Sequence, residues 1–206
     1  MGAKSWWSRT DSWLLEAALG LAVVLVGVFG VLLPALGVVG LMAPTDTREV
    51  EPETAARVPN TVTDAVTNHG MTLTGTQQAD LVFAEPDPGQ RLLLALPEIV
   101  GSLLLLLILV LLVQTARTLR CGDVFVPVNA RRLNVIGLTV LVQAFLVPVL
   151  PSLTTQILVS GTPMAEQVPF SVTLTGDYVL LAFFILALGE VFRRGTKLRA
   201  DTEGLV

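Results

Sequence analysis

Three carboxylates lie within or beside long apolar runs: Glu16, Glu98 and Glu190. An ionisable group inside a bilayer is costly, and by default it points to an ion, proton or substrate path. Depth sorts the three. Glu16 and Glu190 fall at run ends close to arginines, where water or an ion pair can satisfy them. Glu98 stands seven residues into its run, directly after Pro97, nearer the opposite membrane surface. It is the candidate intramembrane polar site, for an ion or a proton, although a carboxylate hydrogen-bonded to an outer cap is the simpler expectation.

Other chemistries find no residues to carry them. His69 is the only histidine and Cys121 the only cysteine, so a histidine-based metal cluster, a Ser/His/Asp triad with a supporting motif and an intramolecular disulfide are not expected. There is no glycine-rich phosphate loop. The acidic stretch 46–53 lacks the regular ligand spacing of a calcium loop and reads as a solvated linker. The expectation is therefore a protein that is not an enzyme, with no catalytic residue, metal or cofactor, and with no direct contact to nucleic acid.

The elements that position these residues follow from composition. Of 206 residues, 52% are hydrophobic and 15% charged, with a mean hydropathy of +0.72. The apolar residues gather into runs that approach the roughly 20 needed for a helix to cross a bilayer. The expected fold class is an all-α membrane protein, one four-helix membrane domain over 1–206, with transmembrane helices at about 14–42, 92–113, 133–150 and 174–192. Trp6, Trp7 and Trp13 suit the interface ahead of the first helix. Pro148 and Pro151 are expected to bend or end the third. The fourth is the weakest, because Asp177 and Glu190 bracket only twelve uncharged residues.

Lysine and arginine set the orientation. Arg117, Arg120, Arg131 and Arg132 flank the connection between the second and third helices, and Arg193, Arg194, Lys197 and Arg199 lie in the tail 193–206, whereas 160–177 contains neither residue type. Both termini and the basic connection are thus expected in the cytoplasm. The eight basic residues form a candidate face for anionic lipid headgroups or a cytosolic partner. The extracytoplasmic loop 44–91 is acidic. Its first part, with Pro44, Pro52 and Pro59, reads as a linker, and 61–83 has strand-like alternation. Val168, Phe170, Val172 and Leu174 alternate in the other outer loop, so a small cap with short β-strands from both loops is expected.

Gly20, Gly27, Gly30 and Gly37, with Pro34, fall within about 100° on an ideal α-helix. They form a helix-packing stripe, with a homo-oligomer seam as the alternative. Two echoes also occur. Met71-Thr72-Leu73-Thr74-Gly75 resembles Val172-Thr173-Leu174-Thr175-Gly176, and Gly122-Asp123-Val124-Phe125 resembles Gly189-Glu190-Val191-Phe192. A duplicated helix pair would explain them, but the spacings within the two halves differ widely.

Gly122-Asp123-Val124-Phe125 with Asn129-Ala130-Arg131-Arg132-Leu133, and Glu190-Val191-Phe192-Arg193-Arg194-Gly195 with Leu198, Asp201 and Glu203-Gly204-Leu205-Val206, resemble a family of small bacterial membrane proteins catalogued as domain of unknown function 2975. The resemblance covers most of the chain after Leu92. It implies a four-pass protein of the bacterial cell membrane, often encoded beside a small helix-turn-helix regulator, which becomes a candidate cytosolic partner. It implies no enzymatic activity. The leading expectation is a non-enzymatic membrane sensor or scaffold. The alternative is a small transporter or channel subunit that works as an oligomer, with Glu98 beside its path.

Overall fold

A computed structural model describes residues 9–42, 46–50, 67–68, 71–74, 79–120 and 126–203, with side chains described for 13–42, 46–50, 80–118 and 126–198. The calls on Trp6, Trp7, His69, Cys121 and Gly122-Asp123-Val124-Phe125 lie outside the described residues, as do the side chains of Arg120 and Arg199. The chain is predominantly helical, and a small antiparallel sheet accompanies the helices.

The first helical stretch is continuous but not uniform. It runs as α1 (Arg9–Leu25), a π-helical segment (Val26–Leu32) and α2 (Leu33–Val39). Pro34 removes the amide that would close a turn onto Gly30, and the chain ahead of it takes the wider π turn. The stretch stops at Gly40, earlier than the expected residue 42. Gly40 adopts φ 82°, its N–H bonds the Gly37 carbonyl at 3.1 Å, and the Leu41 N–H bonds the Leu36 carbonyl at 3.0 Å. This pair of bonds with a left-handed glycine is a Schellman stop.

Helix α3 (Pro88–Arg120) starts before the expected residue 92 because its cap lies upstream. Asp87 accepts from the Gln90 N–H at 2.8 Å, and Gln90 returns a side-chain acceptor to the Asp87 N–H at 3.0 Å. This is a capping box with Pro88 in the first helical position. Helix α4 (Pro127–Val159) likewise begins at a proline, with Asn129 inside its first turn, and α4 passes through Pro148 and Pro151. Each proline costs about 3 kcal/mol in a helix interior. Ending the helix in apolar surroundings would expose several backbone groups instead of one, so α4 continues. Helix α5 (Gly176–Glu203) closes the order.

The chain separates into two compact units. In the unit made of Met1–Val28, Ser102–Ala144 and Thr175–Val206, Ile108 of α3, Ile136 and Val140 of α4, and Ala182 of α5 form the core. Helices α4 and α5 approach closely at glycines. A Cβ added at Gly137 would meet Leu186 Cγ at 2.7 Å and its backbone N at 3.1 Å, and Gly189 lies directly against Asn134. Along the glycine stripe read on the first helix, nothing lies within 4 Å of a Cβ at Gly20, one at Gly27 would just reach Leu106 at 4.0 Å, and Gly37 is buried, with the π segment interrupting the 100° spacing between Gly20 and Gly37.

The unit made of Phe29–Gly101 and Phe145–Leu174 holds the sheet, β1 (Thr47–Val50), β2 (Thr67–Asn68), β3 (Met71–Thr74) and β4 (Ala79–Phe83), in the order β1-β4-β3-β2. Its core joins Val50, Leu81 and Phe83 of the sheet to Leu94 of α3, Leu158 and Val159 of α4, and Met164 and Val168. All described strands come from the first loop. After a 3-10 turn (Pro163–Glu166), the alternating residues 169–175 form no strand. The first echo therefore takes two structures, strand β3 and an unladdered approach to α5, which gives no support to a duplicated helix pair.

Three helical stretches, Trp13–Val39, Pro88–Thr118 and Pro127–Val159, are long and apolar enough to cross a membrane. Replacing Gly137 with Ala should destabilise the α4–α5 pair by about 1–3 kcal/mol through overpacking, read as a lower melting temperature in detergent. The same change at Gly20, which has open space, should leave melting within about 0.5 kcal/mol of the parent.

Candidate functional site

Pro97 has no N–H, so the Leu93 carbonyl one turn earlier in α3 loses its helical partner. Arg48 of β1 fills that position: its Nη2 donates to the Leu94 carbonyl at 2.7 Å and to the Leu93 carbonyl at 3.3 Å. The guanidinium is largely buried, which pushes its pKa down from the ordinary arginine value, and its Nε is buried without a partner among the described residues. Glu98, directly after this proline, is exposed and has no hydrogen-bond or ion-pair partner among the described residues. The structure therefore brings no second polar group to the candidate intramembrane site.

The basic residues divide by occupation. Arg117 Nε donates to Glu16 Oε1 at 2.7 Å, an ion pair whose arginine is mostly exposed. Arg132 Nη1 reaches the Gln114 carbonyl at 3.0 Å, Thr118 Oγ1 at 2.8 Å and Asn129 Oδ1 at 3.3 Å, so it ties the start of α4 to the end of α3. Asn129 is fully buried beneath it. Arg193 grips Glu190 with two bonds, Nε to Oε2 at 2.6 Å and Nη2 to Oε1 at 2.8 Å, while Arg194 Nε adds a third at 2.8 Å. These bonds raise the Arg193 pKa above its ordinary value. Spacing of three and four residues on a helix makes this clamp local.

Arg131 and Lys197 are exposed and have no polar partner among the described residues. Lys197 borders a cleft of about 570 Å³ lined also by Pro127, Arg193, Arg194 and Thr196. Of the eight basic residues read from sequence, four have their guanidinium hydrogen-bonded within the protein, three of them to a carboxylate, two have no polar partner among the described residues, and Arg120 and Arg199 have side chains outside them. Among the described residues no group of three or more His, Cys, Asp or Glu side chains could hold a metal ion.

Sequence reasoning missed Arg48, Gly137 and Gly189. The Arg48 role had a partial signal, since a proline inside an apolar helix announces a carbonyl in need of a donor, but nothing local says which residue supplies it.

No family model matches the chain, and no curated protein and no solved structure matches it either.

Arg48→Met should destabilise the sheet-bearing unit by about 1.5–3 kcal/mol, the range for hydrogen bonds made by a charged group. Pro97→Ala returns an N–H to the Leu93 carbonyl. In that background the Arg48→Met penalty should shrink, and a double-mutant cycle by chemical denaturation in detergent measures the difference.

Proposed function

We infer that the chain is a four-pass protein of the bacterial cell membrane that acts without catalysis, as a sensor or scaffold that receives an external cue and holds a cytosolic partner. The observation that carries this reading is the charge asymmetry. Arginines mark the ends where α3 passes to α4 and where α5 enters the tail, and residues 160–177 have neither lysine nor arginine. That distribution supports cytoplasmic termini and extracytoplasmic positions for 44–91 and 160–177.

Helix α5 supplies the fourth crossing in this reading. Asp177 and Glu190 leave it only a short uncharged stretch, but it packs along α4 at Gly137 and Gly189 and leaves Leu180, Leu181, Phe183, Phe184 and Val191 bare. A bare aromatic and aliphatic face on a helix bound to a membrane span suits lipid. The Glu190 carboxylate, clamped by two arginines, suits the inner interface. A sheet-bearing unit with its own core supports a structured outer cap. The kinship with the family of domain of unknown function 2975, and with it a helix-turn-helix regulator as the cytosolic partner, rests on the motif residues alone. Transport past Glu98 would require an oligomer, because Glu98 stands on an exposed helix face.

Partner docking falls to the unoccupied basic groups. Arg131→Glu with Lys197→Glu should lower recovery of an in-cell crosslinked cytosolic partner severalfold while melting stays unchanged, and full recovery would sink the docking role. Orientation has a native reporter in Cys121, the sole cysteine. A membrane-impermeant thiol reagent should label it only after the cells are opened, and labelling of intact cells would reverse the topology.

A further inference from the structure

In the sheet-bearing unit, a cleft of about 260 Å³ lies between the edge strand β1 and the last turns of α4, with Glu49, Ser152, Thr155, Gln156, Ser171 and Thr173 among its lining. We propose that this cleft binds a small ligand bearing a primary ammonium group, such as a short amine or diamine.

Thr155 is the first indication. The other buried threonines, Thr115, Thr139 and Thr154, each donate to the helix carbonyl four residues back, at 2.8, 2.8 and 3.0 Å. Thr155 is only 5% exposed, yet its hydroxyl makes no such bond and has no partner among the described residues; the side chain borders the cleft. The hydroxyl itself is not among the buried unpartnered atoms, so the little of Thr155 that is exposed includes its Oγ1, which opens into the cleft and is free to accept from a bound group.

The rest of the lining offers acceptors. Gln156 spends its Nε2 on the Val168 carbonyl at 2.8 Å and keeps its Oε1. Ser152 donates its hydroxyl proton to the Ser171 carbonyl and keeps its lone pairs. Glu49 brings a carboxylate. The bond from the Phe83 N–H to the Asp46 carbonyl at 2.8 Å sets the phase of the β1–β4 ladder. By antiparallel alternation, the Glu49 N–H and C=O then face away from β4. An ammonium, with three donors and no acceptor, matches a carboxylate among neutral oxygens.

Charge points the same way. Among the described residues of this unit the cations are Arg48 and Arg91, and both are committed to backbone carbonyls, Arg91 through its Nε to Pro86 at 2.9 Å. The remaining charged side chains are carboxylates, so the unit's field draws cations. Glu49 is the only carboxylate among the described lining residues, whereas calcium takes six to eight oxygens, which favours an organic cation. The volume sits just under the roughly 300 Å³ lower bound of drug-sized pockets, so the ligand has few heavy atoms.

The site deepens the sensor reading, because it names where and by what chemistry the external cue is read, and its biological meaning rests on that reading. Calorimetry on the full chain in nanodiscs of phosphatidylcholine, at physiological ionic strength, tests it with putrescine, 1,4-butanediol and calcium chloride as probes. Putrescine should bind saturably and the isosteric diol should not. Glu49→Gln should weaken putrescine by about tenfold or more and Thr155→Val by about fivefold, both with parental melting. Glu85→Gln, an exposed carboxylate away from the cleft, should change nothing. The site is overturned if putrescine fails to bind, if the diol binds equally, if calcium alone binds, or if Glu85→Gln weakens binding as much as Glu49→Gln. Partner recovery through Arg131 and Lys197 is read separately, so the failure of this site and the failure of the sensor reading give different results.

Discussion

A proline inside an apolar helix leaves a carbonyl that must find a donor, and in this chain Arg48 meets that need at Pro97 from a strand 45 and 46 residues away from the carbonyls it bonds. The bond does more than repair a helix. It fixes β1 to α3, and with it the side of the sheet that carries Val50, Leu81 and Phe83 onto Leu94. Burying a guanidinium without a carboxylate beside it is expensive. Here the cost is offset by two carbonyls of a helix whose own hydrogen bonding is already interrupted. A small sheet with a two-residue edge strand would be marginal alone; pinned to α3 and packed on α4, it acquires a core.

The other unit is held by a different device. Leucines fill much of α3, but α4 and α5 come tightly together where they have no side chain, at Gly137 and Gly189. Small residues let backbones come together in lipid, where burial of leucine against leucine gains little over leucine against acyl chains. Ion pairs then close helix ends, Glu16 with Arg117 and Glu190 with Arg193 and Arg194, while Arg132 ties the start of α4 to neutral oxygens at the end of α3. These are exposed or half-exposed pairs of modest individual worth. Their larger consequence is electrostatic. They consume charge that a count of basic residues would assign to lipid or to a partner, and they leave Arg131 and Lys197 as the described cations free to meet either.

The same contrast bears on acidic residues. Glu16 and Glu190 have counterions, so their place beside apolar runs needs no functional explanation. Glu98 lacks one but is exposed, and Glu49, unremarkable in sequence, borders a cleft into which the unpartnered hydroxyl of the largely buried Thr155 opens. The function inferred for this chain therefore rests on where charge is left over after internal pairing.

Three hydrophobic runs long enough for membrane-crossing helices were legible in the sequence, because bilayer thickness acts on consecutive residues. Asp87-Pro88 and Pro127 also carried helix starts, whereas the apolar runs placed those helices from about 92 and 133. What the tertiary structure alone decided involves partners far apart in the chain: Arg48 with the Leu93 and Leu94 carbonyls, Arg132 with Gln114, Gly137 with Leu186, and the cleft shared by Glu49 and Thr155. On the first helix the π segment interrupts the angular spacing, since 100° per residue holds only while every bond spans four residues. Local rules say that a proline frees a carbonyl or that a glycine permits contact. Which donor arrives, and which neighbour approaches, is set by packing that no short stretch of sequence contains.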